Sequence, residues 1–213
     1  YAHDKYGDSL NSNMFFETTE VKDTSGRLIL PKGKIVDSGF TIPDPSSPTA
    51  TINPVGGVVT INSTIISIPD FAFHNCSTLD VVEIESNGQL TSIGHSAFRE
   101  SALKSIFIPR SITSIGNYSF FGCNSLTSIT FESGSKLQKI NKGSFSSTAL
   151  KEVLLPASVT SIEAEAFENC SSLTWISFES GSLLTTIGDS AFSHSGLKNI
   201  FIPAMVSHIA ANG

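Results

Sequence analysis

The sequence predicts an α/β repeat protein whose chain winds into a solenoid of short, stacked coils. Three observations lead to this prediction: residues of different types recur at one fixed interval, a short alternating apolar segment recurs with them, and phenylalanine is unusually abundant. The 213 residues include 15 Phe but only three Tyr and one Trp. Self-similarity at a period of roughly 20 to 50 residues is the sequence signature of a solenoid.

The fixed interval is 47 residues, and three residue types keep it. It separates the members of three sets: Cys76, Cys123 and Cys170; Phe73, Phe120 and Phe167; and Pro109, Pro156 and Pro203. A second Phe series (Phe98, Phe145 and Phe192) divides each interval into coils of 25 and 22 residues in alternation. We therefore expect the Phe side chains to stack in the interior, which accounts for their number.

A short segment of the form Leu-x-x-Ile-x-Ile recurs between the Phe residues. Period-2 alternation of β-branched and aromatic residues predicts a strand with one buried face. Seven such strands are expected, ending at Ile61, Ile84, Ile108, Phe131, Leu155, Phe178 and Ile202. One strand per 22 to 25 residues leaves too little chain for a packed crossover helix and suits one coil of a solenoid.

The other side of each coil carries a phrase such as Ser-Ile-Gly-His-Ser-Ala-Phe, at residues 92–98. The residue before each cysteine is Asn75, Gly122 or Asn169. Asn and Gly tolerate a left-handed backbone, which commonly ends a helix. These positions predict a one-turn helix that stops there and points its Phe inward.

The complete phrase resembles the BspA-like type of leucine-rich repeat. It reads Leu-x-x-Ile-x-Ile-Pro-x-Ser-Val-Thr-Ser-Ile-Gly-x-x-Ala-Phe-x-x-Cys and recurs over about residues 58 to 209. The phrase Phe-Glu-Ser-Gly-Ser-Lys-Leu at 131–137 is similar to versions from mucosal protozoan parasites, and the family also occurs in bacteria. The resemblance implies a right-handed leucine-rich-repeat solenoid, with a parallel β-sheet on the concave side and short helical or 3-10 turns on the convex side.

Two regions are expected from this pattern. Residues 1–57 do not keep the period and are predicted to form an irregular N-terminal segment or cap. Residues 58–213 form the BspA-like repeats, and the last coil is truncated because Ile209 opens a coil whose Phe does not follow before Gly213. We therefore expect the native chain to continue beyond this point.

Composition and motifs exclude several classes of function. The net charge of −6 disfavours nucleic acid, because phosphate binding needs clustered Lys and Arg. No run approaches the roughly 18 apolar residues of a membrane span. The chain has no G-x-S-x-G, P-loop, H-E-x-x-H or C-x-x-C motif, so we expect no catalytic site, no metal site and no cofactor. His74, His95 and His194 are predicted to lie on the surface, at outward positions where Arg99 or the neighbours of Asn117 and Asp189 occur in other coils.

The cysteines and a column of glutamates share the 47-residue step. Residues two coils apart should lie about 10 Å from each other, since strands in a sheet are about 4.8 Å apart. This distance is too long for a disulfide or a shared metal ion, and the cysteines are expected to be buried free thiols. Glu85, Glu132 and Glu179 are likewise too far apart to share calcium and are predicted to edge a solvated loop.

The candidate binding surface is the outward face of the strands. Side chains alternate along a strand, so the residues between the buried positions face solvent. They include Phe107, Leu154, Ser177 and Phe201, and the neighbouring column includes Glu152 and Trp175. Exposed aromatic residues are candidate anchors for a partner. Two alternatives stay open: the apolar residues pack into a self-contained stripe, or the N-terminal segment covers them.

The resemblance also implies a function and a location. Members of the family are mostly cell-surface proteins, and some are implicated in adhesion to host cells or matrix proteins. The leading hypothesis is a non-enzymatic, protein-binding solenoid at the cell surface or secreted, adhesin-like, with a protein or glycoprotein ligand from host cells or extracellular matrix. A structural spacer and an intracellular scaffold built from the same repeats are the alternatives.

Overall fold

The computed structural model describes residues 57–212 except 62, 64, 86 and 87, together with the backbone of residues 2–3 and 9–10. In this part of the chain, the strands are β1 (Ala2–His3), β2 (Ser9–Leu10), β3 (Val58–Ile61), β4 (Ser67–Ile68), β5 (Val81–Ile84), β6 (Ser92–Ile93), β7 (Ser105–Ile108), β8 (Ser114–Ile115), β9 (Ser128–Phe131), β10 (Lys139–Ile140), β11 (Glu152–Leu155), β12 (Ser161–Ile162), β13 (Trp175–Phe178), β14 (Thr186–Ile187) and β15 (His208–Ile209). The short antiparallel pair β1–β2 lies in the N-terminal segment, and the prediction of an irregular segment or cap otherwise falls outside the described residues.

Each coil contributes one four-residue strand and one two-residue strand. The four-residue strands pair in parallel in the orders β3-β5-β7-β9 and β11-β13. The two-residue strands pair in parallel in the orders β4-β6-β8 and β10-β12-β14-β15. The chain is therefore a solenoid of stacked parallel strands, as the repeat predicts.

The alternation of apolar residues determines which face of each long strand is buried. In β7, Ile106 and Ile108 point into the core, whereas Ser105 and Phe107 face outward. β11 shows the same pattern. The buried positions in register on neighbouring strands are both apolar, as in the pairing of Ile106 with Ile129. The apolar faces of successive coils thus join into one continuous core.

The interior Phe residues form a single file along the solenoid. The rings of Phe73, Phe98, Phe120, Phe145, Phe167 and Phe192 stack in this order. Neighbouring ring centroids lie between 5.0 and 5.6 Å apart, and neighbouring planes differ by between 5° and 14°. The predicted interior stack is confirmed.

The prediction of helical or 3-10 turns opposite the long strands is wrong for the described residues, which form hydrogen-bonded turns there. The backbone amides along each turn alternate between two kinds of acceptor. His74 donates to the carbonyl of Phe71 three residues back, but Phe73 and Asn75 donate to carbonyls of the next coil. Left-handed backbone at Phe71 and Asn75 further interrupts the helical path. The expected left-handed residues are nevertheless present, since φ is +57° at Asn75, +69° at Gly122 and +58° at Asn169.

The seventh predicted strand, which would end at Ile202, is not formed. Residues 199–202 lie beside β13 without ladder hydrogen bonds, whereas β15 resumes the parallel pairing with β14. Ile200 and Ile202 pack only partly against the core. Less apolar area is therefore buried to hold a strand in place here.

His74, predicted to lie on the surface, is buried, and Arg99, on the same side of the coils, is buried as well. His74 is 8% exposed and Arg99 only 1%. The guanidinium carbon of Arg99 lies 4.8 Å from the centre of the Phe121 ring, and its Nε lies 3.5 Å from Glu100. Adjacent coils stack closely enough on this side to bury long side chains between them, which the spacing alone does not reveal. His95 is half-buried and His194 is exposed.

The glutamate column is also more than a solvated loop edge. Each carboxylate is half-buried and accepts a hydrogen bond from a backbone N–H of the preceding coil: Ser63 to Glu85 at 2.7 Å, Arg110 to Glu132 at 2.9 Å, and Ala157 to Glu179 at 3.0 Å. Hydrogen bonds to a charged acceptor stabilise more than neutral ones. The 47-residue step of these glutamates therefore serves to bond successive coils.

The three cysteines are buried free thiols, as predicted. Cys123 Sγ donates to the carbonyl of Phe98 at 2.9 Å, and Cys170 Sγ to that of Phe145 at 3.0 Å. Burial raises the pKa of the Cys123 thiol from its ordinary value of 9.0 to about 12. Burial also raises the pKa of Cys170. Because the thiolate is the reactive form, both side chains should be inert in the folded protein.

We expect the thiols to resist a water-soluble disulfide reagent at pH 8 in the native protein and to react fully in denaturant. The raised pKa also links stability to pH, because the unfolded thiol ionises while the folded one stays protonated. The free energy of unfolding should therefore fall as the pH rises above 9, and it should continue to fall until the folded Cys123 thiol ionises near pH 12. In a Cys123→Ser variant, the free energy of unfolding measured by urea titration should fall less steeply over this pH range. Equal reaction rates for native and denatured protein would contradict the account.

Candidate binding site on the outer strand face

The predicted site residues lie on the solvent-facing side of the four-residue strands, called the outer face below. Phe107 is 45% exposed, Leu154 53%, and Trp175 59%. Phe201, on the segment that fails to pair as a strand, is 83% exposed. Large apolar side chains this open to water are the informative departures on such a surface.

Strand register fixes the neighbours of each of these residues. Trp175 is in register with Glu152 on β11, and Leu154 is in register with Ser177 on β13. Phe107 is in register with Thr130. The structure thus brings together Glu152, Leu154, Trp175 and Ser177 on two adjacent strands, but it does not place Phe107 among them.

The exposed apolar residues do not form a sealed stripe. Phe107 and Leu154 lie two strands apart, about 10 Å, with Thr130 between them. Their exposed fractions, and that of Phe201, show that they do not cover one another. The other alternative, a covering N-terminal segment, falls on residues outside the described ones.

Three depressions meet at Trp175. The largest has a volume of about 730 Å³ and lies between β13 and the unpaired segment that follows. Its lining is mostly apolar and includes Phe178, Ile200, Phe201, Pro203 and Met205. The repeat pattern did not predict this groove, because it forms where residues 199–202 depart from the strand that the pattern predicts.

The two smaller depressions differ in charge. One, of about 360 Å³, extends across β9, β11 and β13 and carries the carboxylates of Glu152 and Glu179. The other, of about 210 Å³, is lined by Thr174, Trp175, Gly196, Lys198 and Asn199. Trp175 therefore stands between an apolar, an acidic and a cationic surface.

A column of lysines runs along the edge of the outer face. Lys104 forms an ion pair of 2.8 Å with Asp80 of the preceding coil. In the coil that precedes Lys151, Thr127 stands at the position equivalent to Asp80, and Thr174 stands there in the coil that precedes Lys198. Each threonine hydroxyl donates a hydrogen bond to a backbone carbonyl of the preceding coil. Within the described residues, neither Lys151 nor Lys198 forms an ion pair.

The outer face presents both apolar and polar side chains to solvent. It combines aromatic and aliphatic side chains with carboxylate, hydroxyl, amide and ammonium groups, a mixture typical of binding sites with a few oriented polar groups. Among residues 57–212 as described, no group of three or more His, Cys, Asp or Glu is placed to hold a metal ion. No helix in the described part of the chain has the length and apolarity needed to cross a membrane.

Comparison with known families agrees with the geometry. The profile described as the BspA type leucine rich repeat region matches residues 58–174 and 91–212, with six copies. The chain belongs to the BspA-type leucine-rich repeat family. In this BspA-type chain, equivalent positions of successive repeats are in register on paired strands, as Glu152 is with Trp175. No curated protein matches it at a significant level.

Solved leucine-rich repeat structures show the same architecture. A leucine-rich repeat protein from Bacteroides ovatus is 30% identical over 71% of this chain, with a TM-score of 0.58. One from Eubacterium ventriosum is 25% identical over 74% of the chain, with a TM-score of 0.66. The pneumococcal vaccine antigen PcpA, 21% identical over 87% of the chain and 54% of its own length with a TM-score of 0.50, shares the fold. The BspA-type chain spans 44% and 42% of the length of the first two proteins.

Proposed function

We propose that residues 58–213 form a non-enzymatic binding solenoid, displayed at the cell surface or secreted, that holds a protein or glycoprotein of host cells or extracellular matrix on its outer face. The observation that carries the proposal is the exposure of Trp175, the single tryptophan of the chain, where three depressions meet. The surface location follows the resemblance, since members of the family are mostly cell-surface proteins.

The repeat itself supports a role for Trp175 beyond structure. The equivalent position is Ser105 on β7, Ser128 on β9 and Glu152 on β11, so the fold does not require an aromatic residue there. An indole ring that is 59% exposed also gains comparatively little stability from burial. Tryptophan is enriched in the few residues that dominate binding energy at interfaces. Its position therefore favours contact with a partner.

The neighbouring residues would complete such an interface. Leu154 and Phe201 add apolar area on either side of the β13 strand, and Glu152 and Ser177 supply polar groups at its margin. Phe107 lies further along the same face and would contact only a ligand that spans several coils. Modest contacts repeated over several coils, and display of several solenoids together, would raise the overall avidity.

The test is solid-phase binding of the 213-residue chain to host cells and purified matrix proteins. Trp175→Ala is expected to weaken an observed interaction at least about thirtyfold, the effect of a hot spot of about 2 kcal/mol. Ile66→Ala is the matched control, because Ile66 is similarly exposed, at 54%, but lies off the outer face. A partner whose affinity is unchanged by Trp175→Ala, Leu154→Ala and Phe107→Ala would exclude this face as the binding surface.

A further inference from the structure

We propose that the depression on the Lys198 side of Trp175 binds an anionic sugar, a pyranose that carries a carboxylate or a sulfate. This inference rests on the proposed function and narrows the partner to one that bears acidic glycans. The depression is lined by Thr174, Trp175, Gly196, Lys198 and Asn199. It combines a flat aromatic wall, an ammonium group and an amide at one place.

The size of the depression favours a single ring. Its volume of about 210 Å³ lies below the roughly 300 to 1,000 Å³ typical of pockets for drug-sized molecules. A sugar ring presents C–H bonds on its faces and hydroxyl groups around its rim. The indole of Trp175 offers a face for the C–H bonds, while the Asn199 amide both donates and accepts hydrogen bonds at the rim.

The charge of the depression favours an acidic sugar over a neutral one. Within the described residues, Lys198 forms no ion pair, unlike Lys104, which the carboxylate of Asp80 neutralises. The carboxylates of Glu152 and Glu179 line the other depressions and are absent from this one. An ammonium group without a partner is suited to a charge-assisted hydrogen bond with a carboxylate or sulfate oxygen.

The pattern of the repeat shows that this arrangement is a departure. Threonine replaces the aspartate below Lys198, and the hydroxyl of Thr174 is engaged by the carbonyl of Lys151. The tryptophan appears on the same coil as that threonine. Threonine also stands at this position next to Lys151, as Thr127, so the tryptophan is what distinguishes the coil next to Lys198.

The experiment titrates the 213-residue chain with three defined probes: sialyllactose, lactose and a sulfated heparin disaccharide. Sialyllactose, the sulfated disaccharide or both are expected to bind, with an affinity that falls as salt is added, and lactose is expected to bind at least about tenfold more weakly. The two acidic probes distinguish carboxylate from sulfate as the preferred anion. Lys198→Gln and Trp175→Ala should each reduce binding of the acidic probe at least about tenfold, since a charge-assisted hydrogen bond contributes about 1.5–3 kcal/mol.

Lys104→Gln is the matched control, because Lys104 occupies the same column but is paired with Asp80, and it should leave sugar binding unchanged. Absence of binding by both acidic probes, or equal binding by the Lys198→Gln variant, would overturn the inference. Binding to host cells that survives enzymatic removal of acidic sugars but is lost in Trp175→Ala would overturn it while leaving the proposed function intact. If Trp175→Ala reduces neither sugar binding nor binding to host cells, both the inference and the proposed function are overturned.

Discussion

Phe120→Ala is expected to destabilise the solenoid by about 3–5 kcal/mol, the range for removing a fully buried phenylalanine. The Phe120 ring lies in the middle of the interior file, 5.2 Å from the ring of Phe98 and 5.2 Å from that of Phe145. It is completely buried. Truncation therefore removes apolar contacts on both sides and leaves a cavity that the stacked coils, held in place by strand register, cannot readily close.

The matched control is Phe107→Ala, which removes the same side chain from the outer face. Because Phe107 is 45% exposed on the outer face, its replacement should lower the free energy of unfolding by only about 1 kcal/mol. The free energies of unfolding of both variants are measured by urea titration, with circular dichroism as the signal. Equal destabilisation by the two substitutions would contradict the distinction between interior file and outer face.

Deletion of residues 126–172 is expected to give a shorter protein that still folds. The deletion removes one complete 47-residue period and joins Ser125 to Leu173, which restores the Ser-Leu step found at Ser172–Leu173. It also leaves 25 residues between Phe120 and Phe192, the normal spacing of the file. In a solenoid each coil contacts only its neighbours, so β7 can pair with β13 and the remaining rings can stack.

Deletion of residues 126–165 removes a similar length of chain but is out of period. It joins Ser125 to Ala166 and shifts every following apolar residue relative to the coil before it. A shift of this kind moves buried side chains to the surface, and we expect the product to be unfolded. Circular dichroism and size-exclusion chromatography compare the two deletions. The repeat account fails if both products fold or if the in-period deletion unfolds.

The strands and the interior were predictable because the same residues recur in every coil. A buried position such as Phe120 is recognisable when Phe73 and Phe167 keep its spacing, and Asn75, Gly122 and Asn169 show their left-handed backbone by residue type. The outward position of Trp175 follows from strand alternation in the same way. The binding role of these outer-face residues stays a prediction.

The remaining features depend on contacts between coils, which spacing does not encode. Polar Arg99 is buried because Phe121 covers its guanidinium. Glu132 bonds the backbone of Arg110 in the preceding coil, a contact that no property of the glutamate alone indicates. The turns of the described coils contain no helix, because their backbone amides alternate between local and inter-coil acceptors. The groove beside β13 exists because residues 199–202 do not follow their own strand pattern.

The fluorescence of Trp175 in the presence of a partner is the most direct test of the outer face as a binding surface. The chain has one tryptophan, so its emission reports this site without engineering. The free protein should emit as a water-exposed indole that acrylamide quenches readily, because Trp175 is 59% exposed. Saturation with a partner found by solid-phase binding should shift the emission to shorter wavelength and reduce the quenching. Unchanged emission and quenching at saturation would place the partner elsewhere and contradict the account.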